Sequence, residues 1–241
     1  MNDLFGNPGR ENQTSILIGS LLKLSANTAI QAELPDLDGY TENLVSSLDK
    51  GDPSFVETSL LSLYIRLHGA GSGYAPPERE QLAKRRGYAC HPGGLSPLIK
   101  AVDFIKADSV VADLGAGNGL QGLLLQCLCP HRKTIQVEIS AELIRVGRIF
   151  QRALGIGDDR VEWIHDDIVH APIDEADFIY LYLPAKPLEG GKEVYEAVAR
   201  TLSRMEKPLL IFSVADCLAK FLDSRFSLFY TDGHLTCFAR K

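Results

Sequence analysis

Asp113, Gly115, Gly117 and Gly119 alternate with other residues in Ser-Val-Val-Ala-Asp-Leu-Gly-Ala-Gly-Asn-Gly-Leu-Gln-Gly, residues 109–122. Glycines at alternate positions let a backbone turn tightly and let a ligand reach atoms that a Cβ would shield. Val110, Val111 and Ala112 read as a short buried strand closed by Asp113, and the apolar run from Leu120 to Leu128 opens a helix. The unpaired N–H groups at that helix start face the crevice above the strand, where open α/β sheets bind ligands. Asp113, Gly115, Ala116, Gly117, Asn118 and Gly119 are therefore the candidate floor of a nucleotide-cofactor site.

Other groups fall where such a site needs them. Glu138 lies about twenty residues past the glycines, where a carboxylate ending the next strand accepts hydrogen bonds from both ribose hydroxyls. Asp166 and Asp167 end a third strand, and either could accept from an adenine amino group. Tyr180 and Tyr182 share one face of a fourth strand because side chains alternate; Tyr182, at its end, is placed to orient a reaction partner. Tyr88 and His91 sit in residues 87–94, a glycine-rich loop that is costly to order unless it meets something. His91 and His165 are the candidate bases.

The glycine spacing narrows the ligand. The third glycine of a dinucleotide fingerprint would fall at Leu120, whereas here it is at 119, and no second mononucleotide-binding half follows. A nicotinamide-dependent oxidoreductase is disfavoured on that ground. The observed form suits a ligand without pyrophosphate, whose amino-acid tail crosses the glycines and offers an ammonium group to Asp113.

These residues need elements to hold them. Residues 14–33, with Leu17, Leu21 and Leu24, read as one helix stopped by Pro35, and a second runs from Thr41 to Leu48. A third is capped by Asp52, has Pro53 at its first position and ends at Gly69. Residues 69–73 read as a flexible connector, because no strand precedes them and no Gly-Lys-Ser/Thr follows. Pro77 to Arg86 reads as a solvated helix with Lys84, Arg85 and Arg86 in water, and Ser96 caps the next. From Ser109 strands alternate with helices: strands over 134–139, 161–165, 177–183 and 209–214, helices capped by Ser140 and over 191–205, and a short helix to Leu222. Asp232-Gly233 signals a type I′ hairpin between 226–231 and 234–239, so one strand is reversed. The expected fold is α/β: a doubly wound, mostly parallel sheet with a C-terminal antiparallel hairpin over residues 87–241, preceded by a helical N-terminal subdomain over 1–86.

Residues 111–119, Gln136-Val-Glu-Ile139, Asp166-Asp-Ile168, the strand 176–184 ending Leu-Tyr-Leu-Pro and the terminal hairpin together resemble the class I S-adenosylmethionine-dependent methyltransferases. The resemblance implies S-adenosyl-L-methionine as cofactor and methyl transfer to an acceptor it does not name. It implies that Gly115, Gly117 and Gly119 line the methionine part, Glu138 holds the ribose, and Asp167 and Ile168 hold the adenine. Tyr182 would stand near the transferable methyl, and Ile139, Asp166, Leu183 and Tyr88 complete the implied cofactor set. The fourth strand lacks the Asn-Pro-Pro-Tyr/Phe ending of enzymes that methylate bases and glutamine, which argues against those acceptors. A protein that binds the cofactor without transferring its methyl is the alternative.

Composition sets outer bounds. The chain of 241 residues and 26.4 kDa is long enough for one large domain or a domain with an appendage. A net charge of −6 argues against a nucleic-acid backbone or an anionic membrane as obligatory partner, while leaving room for a local basic patch. Five cysteines without a Cys-x-x-Cys pair fit a reducing compartment better than a disulfide framework or zinc site. A magnesium site would need acids ending both the fourth and fifth strands; only Asp216 qualifies, so no metal is expected. Residues 1–13 lack a signal-peptide pattern and residues 16–24 are too short to span a bilayer, so the expected location is cytoplasmic and the oligomeric state is open.

Overall fold

A computed structural model describes residues 10–71, 73–89, 93–215 and 218–240. The expectations placed on Cys90, His91, Asp216 and Cys217 lie outside the described residues. One seven-stranded sheet runs in the order β3-β2-β1-β4-β5-β7-β6. Its strands are β1 (Val110–Leu114), β2 (Lys133–Glu138), β3 (Val161–His165), β4 (Phe178–Tyr182), β5 (Leu209–Val214), β6 (Ser227–Thr231) and β7 (Leu235–Arg240). The first five are parallel, and β7 is antiparallel to both of its neighbours. The strand order reverses on either side of β1, so the crevice opens above its carboxyl end.

Helices cover both faces, which is why β1 is buried throughout and is apolar at every position but Asp113. One apolar cluster joins α1 (Glu11–Ser25) and α4 (Pro53–His68) to α6 (Ser96–Val102), α7 (Leu120–Leu128), α8 (Ala141–Leu154) and one sheet face. Leu17, Leu21 and Leu60 belong to it together with Leu123, Val146 and Phe150. The second cluster packs α9 (Lys192–Arg204) on the opposite face. Ser140 caps α8 by accepting from the Leu143 N–H, and Asp52 caps α4 by accepting from Ser54 and Phe55, both as the sequence indicates.

Several elements differ from the sequence expectation for local reasons. The helix expected over 14–33 is two, because Asn27 accepts from the Ala29 and Ile30 N–H groups and starts α2 (Thr28–Glu33). The next helix, α3 (Leu37–Lys50), is longer than 41–48 and stops where Gly51 turns left-handed. Ser96 is the first helical residue rather than the cap; Leu95 holds the cap position without a side-chain bond. Residues 218–222 form turns, not a helix. The last hairpin is not type I′: of its turn residues only Gly233 has positive φ, and Thr231 pairs with Thr236. Asp232 accepts from the His234 and Leu235 N–H groups instead and turns the chain through its side chain.

Candidate functional site

The glycine turn is fixed to the neighbouring strand. The Gly115 and Ala116 N–H groups both donate to the Val137 carbonyl, at 3.0 and 2.9 Å. The Gly117 N–H donates to Glu138 Oε2 at 2.8 Å, and the Ser140 N–H donates to Oε1 at 2.9 Å. Glu138 is thus held at the end of β2 by two backbone groups, with lone pairs left for a ligand. Only 3% of it is exposed, and burial pushes its carboxyl up to about 7. Gly115 and Gly117 lie on the cavity with φ of 79° and 60°, and a Cβ on Gly117 would meet nothing within 4 Å. The cradle is open.

Gly119 differs from its two neighbours. It does not line the cavity, and a Cβ there would come within 2.2 Å of the Trp163 ring, as one on Gly147 would within 2.1 Å. This glycine serves the packing of α7 and α8 around Trp163. Ala116 and Asp113 are buried off the cavity wall. Asp113 accepts from the Gly122 N–H, yet burial pushes its carboxyl up to about 7, and Oδ2 has no hydrogen-bond partner among the described residues. Tyr180, its neighbour across β4, is fully buried, and burial carries its phenol well above the usual range.

The remaining candidates meet in one cavity at the carboxyl ends of β1, β2 and β4. Ile139, Asp166, Asp167 and Ile168 form its β2–β3 side, while Tyr182, Leu183 and Tyr88 form its β4 side. Tyr182 is half-buried, and burial raises its phenol. Leu183 has φ of 30°, a left-handed conformation that costs a branched residue free energy and aims the chain after β4 across the opening. The Tyr88 N–H donates to the Pro184 carbonyl at 3.1 Å, which ties the loop before α6 to that same segment. His165 is exposed, pairs with the Ile139 carbonyl at 2.9 Å and does not line the cavity.

Sequence reasoning missed a whole wall. Asn118, buried in the glycine turn, donates from Nδ2 to the carbonyls of Leu67, His68 and Ala70 at 2.9, 3.1 and 3.3 Å. It thereby closes the carbonyl end of α4 and brings Gly69, Ala70, Gly71 and Gly73, read as a connector, onto the cavity. The helix read as solvated, α5 (Pro76–Lys84), also contributes. Gln81 Nε2 and Arg85 Nε reach Asp167 Oδ2 at 2.8 and 2.7 Å, so Arg85 is not a free surface cation. The basic cluster was visible in the sequence; its distant carboxylate partner was not.

No family model matches the chain, and no curated protein matches it. Solved structures do. TrmN from Thermus thermophilus superposes with a TM-score of 0.50 at 17% identity, covering 61% of this chain and 48% of that one. This chain therefore spans less than half the length of that protein. The mostly parallel sheet with one reversed strand and a glycine turn after β1 is the arrangement that the sequence resemblance implies. The fold is that of the class I methyltransferases. A putative rRNA-methylase from Clostridium thermocellum matches at 16% identity over 60% of this chain and 93% of its own, with a TM-score of 0.48. An RNA methyltransferase from Salinibacter ruber, solved with S-adenosyl-L-homocysteine, matches at 22% identity over 61% and 88%, with a TM-score of 0.44.

One expectation is overturned here. Net charge argued against a nucleic-acid partner, but chains described as RNA and rRNA methylases are among those that match this class I fold. Whole-chain charge governs long-range attraction and does not describe the surface around one cavity, so the exclusion does not hold. Among the described residues no helix is long and apolar enough to cross a membrane.

Proposed function

We propose that the protein transfers a methyl group from S-adenosyl-L-methionine to an acceptor nucleophile. The observation that carries this reading is Glu138, fixed by the Gly117 and Ser140 N–H groups beside an open glycine cradle. When bound, the cofactor would supply an activated methyl group on a sulfonium, with S-adenosylhomocysteine as the co-product. Glu138 takes the ribose hydroxyls, Gly115 and Gly117 admit the methionine part, and Ile139, Asp166 and Ile168 flank the adenine. Asp167, whose Oδ2 is engaged by Gln81 and Arg85 and whose Oδ1 accepts from the Val169 N–H, shapes that pocket and keeps a lone pair on Oδ1 for the adenine amino group. Tyr182 orients the acceptor at the end of β4. Alignment supplies much of the acceleration in a displacement with a good leaving group, so no dedicated base is assigned.

Within this reading residues 1–86 act as a helical cover and 87–241 as the cofactor-binding part. The cover excludes water through the 69–73 segment and α5, both on the cavity wall. Glu138→Ala is expected to weaken S-adenosylhomocysteine binding by about 10–100-fold in calorimetry, the value of a charge-assisted hydrogen bond. Wild-type affinity in that variant removes the ribose assignment. Methyl-labelled cofactor incubated with cell extract, then split into RNA, protein and small-molecule fractions, identifies the acceptor class.

A further inference from the structure

Gln121 lies in the first turn of α7, lines the cavity and is only 3% exposed. Its Nε2 has no hydrogen-bond partner among the described residues. An unpaired buried amide is disfavoured in a folded chain, so its retention on a cavity wall points to a ligand that completes it. Position says which part of the ligand. A Cβ added to Gly93 would stand 2.4 Å from Gln121 Nε2 and 3.6 Å from the Tyr182 ring, so the amide and the phenol flank the same short piece of backbone. That places Gln121 on the β4 side of the crevice, whereas Glu138 ends β2 on the other side of β1.

We propose that Gln121 is a specificity-determining residue for the methyl acceptor, donating from its amide to a carbonyl-type oxygen that the acceptor carries beside the methylated atom. The inference rests on the methyl-transfer reading above. The amide itself keeps Gly93 free of a side chain, because a Cβ there would stand 2.4 Å from Nε2. A site built to hydrogen-bond one substrate atom discriminates strongly against substrates lacking it, because the protein group is then left unpaired.

The test compares wild type with Gln121→Leu and Gln121→Glu, using S-adenosylhomocysteine, methylthioadenosine and the extract fraction that wild type labels. Gln121→Leu removes an unpaired polar group from the interior, so its melting temperature is expected to equal or exceed that of wild type. Both nucleosides are expected to bind both variants within about twofold of wild type, while labelling of the fraction falls by about tenfold or more. Gln121→Glu keeps the shape but replaces the donor with an acceptor, and is expected to lose labelling as fully. Unchanged labelling in Gln121→Leu overturns the proposal alone. Weakened S-adenosylhomocysteine binding with methylthioadenosine binding intact also overturns it, because the amide then holds the cofactor's amino-acid tail. Wild type that binds S-adenosylhomocysteine but labels no fraction overturns the acceptor role and leaves donor binding standing. Wild type that binds neither nucleoside removes both readings.

Discussion

Asp113 and Glu138 are two buried carboxyls that burial pushes up to about 7, from ordinary values of 3.8 and 4.5. Their folded values lie above the unfolded ones, so between about 4 and 7 the folded chain holds protons that the unfolded chain has released. Stability from these two groups is therefore greatest at the acid side of that window and falls as pH rises through it. Asp113→Asn retains an oxygen for the Gly122 N–H and cannot ionise. Relative to wild type its melting temperature is expected to climb as pH goes from about 4 to 7, measured by calorimetry at several pH values. A difference that does not change with pH would mean that Asp113 is ionised throughout. Glu138 carries the functional counterpart, since the charged form is the better acceptor for ribose hydroxyls and cofactor affinity should rise over the same interval.

At the scale of elements, the glycine turn and α4 form one unit through Asn118. Helix ends leave carbonyls without intrahelical partners, and here a side chain some fifty residues away satisfies them. Asn118→Leu is expected to lower unfolding free energy by about 1–3 kcal/mol, the cost of leaving buried acceptors unpaired, as read from urea denaturation. Cleavage within residues 69–75 in limited proteolysis should quicken in the same variant; unchanged cleavage would show that the segment is held by other contacts. On the far side of the cavity, Gln81 and Arg85 fasten α5 to Asp167 and Glu78 accepts from the Ala141 N–H, so polar side chains tie both sides of the cover to the cofactor part.

For the whole molecule the decisive feature is that the N-terminal helices share a core with one sheet face. Leu17, Leu21 and Leu60 are fully buried in the same cluster as Val111, Tyr180 and Phe212. The chain's single tryptophan, Trp163, sits at the seam of α7, α8 and β3, where Gly119 and Gly147 leave room for its ring. Gly119→Ala would set a side chain at φ of 69° and drive a Cβ into that ring. The expected loss is about 2–4 kcal/mol, the sum of a left-handed alanine and an overpacked core. Because Trp163 is the only indole, its fluorescence during denaturation reports the change directly; a midpoint equal to wild type would mean that the ring moves aside at little cost.

What the sequence determined by itself is local. The strand–helix alternation, the Asp52 and Ser140 caps, the glycine turn and the single reversed strand depend on residues a few positions apart, whose hydrogen bonds and conformational preferences are readable in order. The placement of Glu138 beside that turn follows from the same logic, since both lie at the ends of adjacent parallel strands. Tertiary structure alone decided what covers the site. Asn118 finds α4 across 51 positions and Gln81 finds Asp167 across 86, and apolar periodicity identifies which face of a helix is buried but not which surface receives it. For that reason neither the Trp163 ring packed against Gly119 nor the unpaired amide of Gln121 on the cavity wall is legible in the sequence.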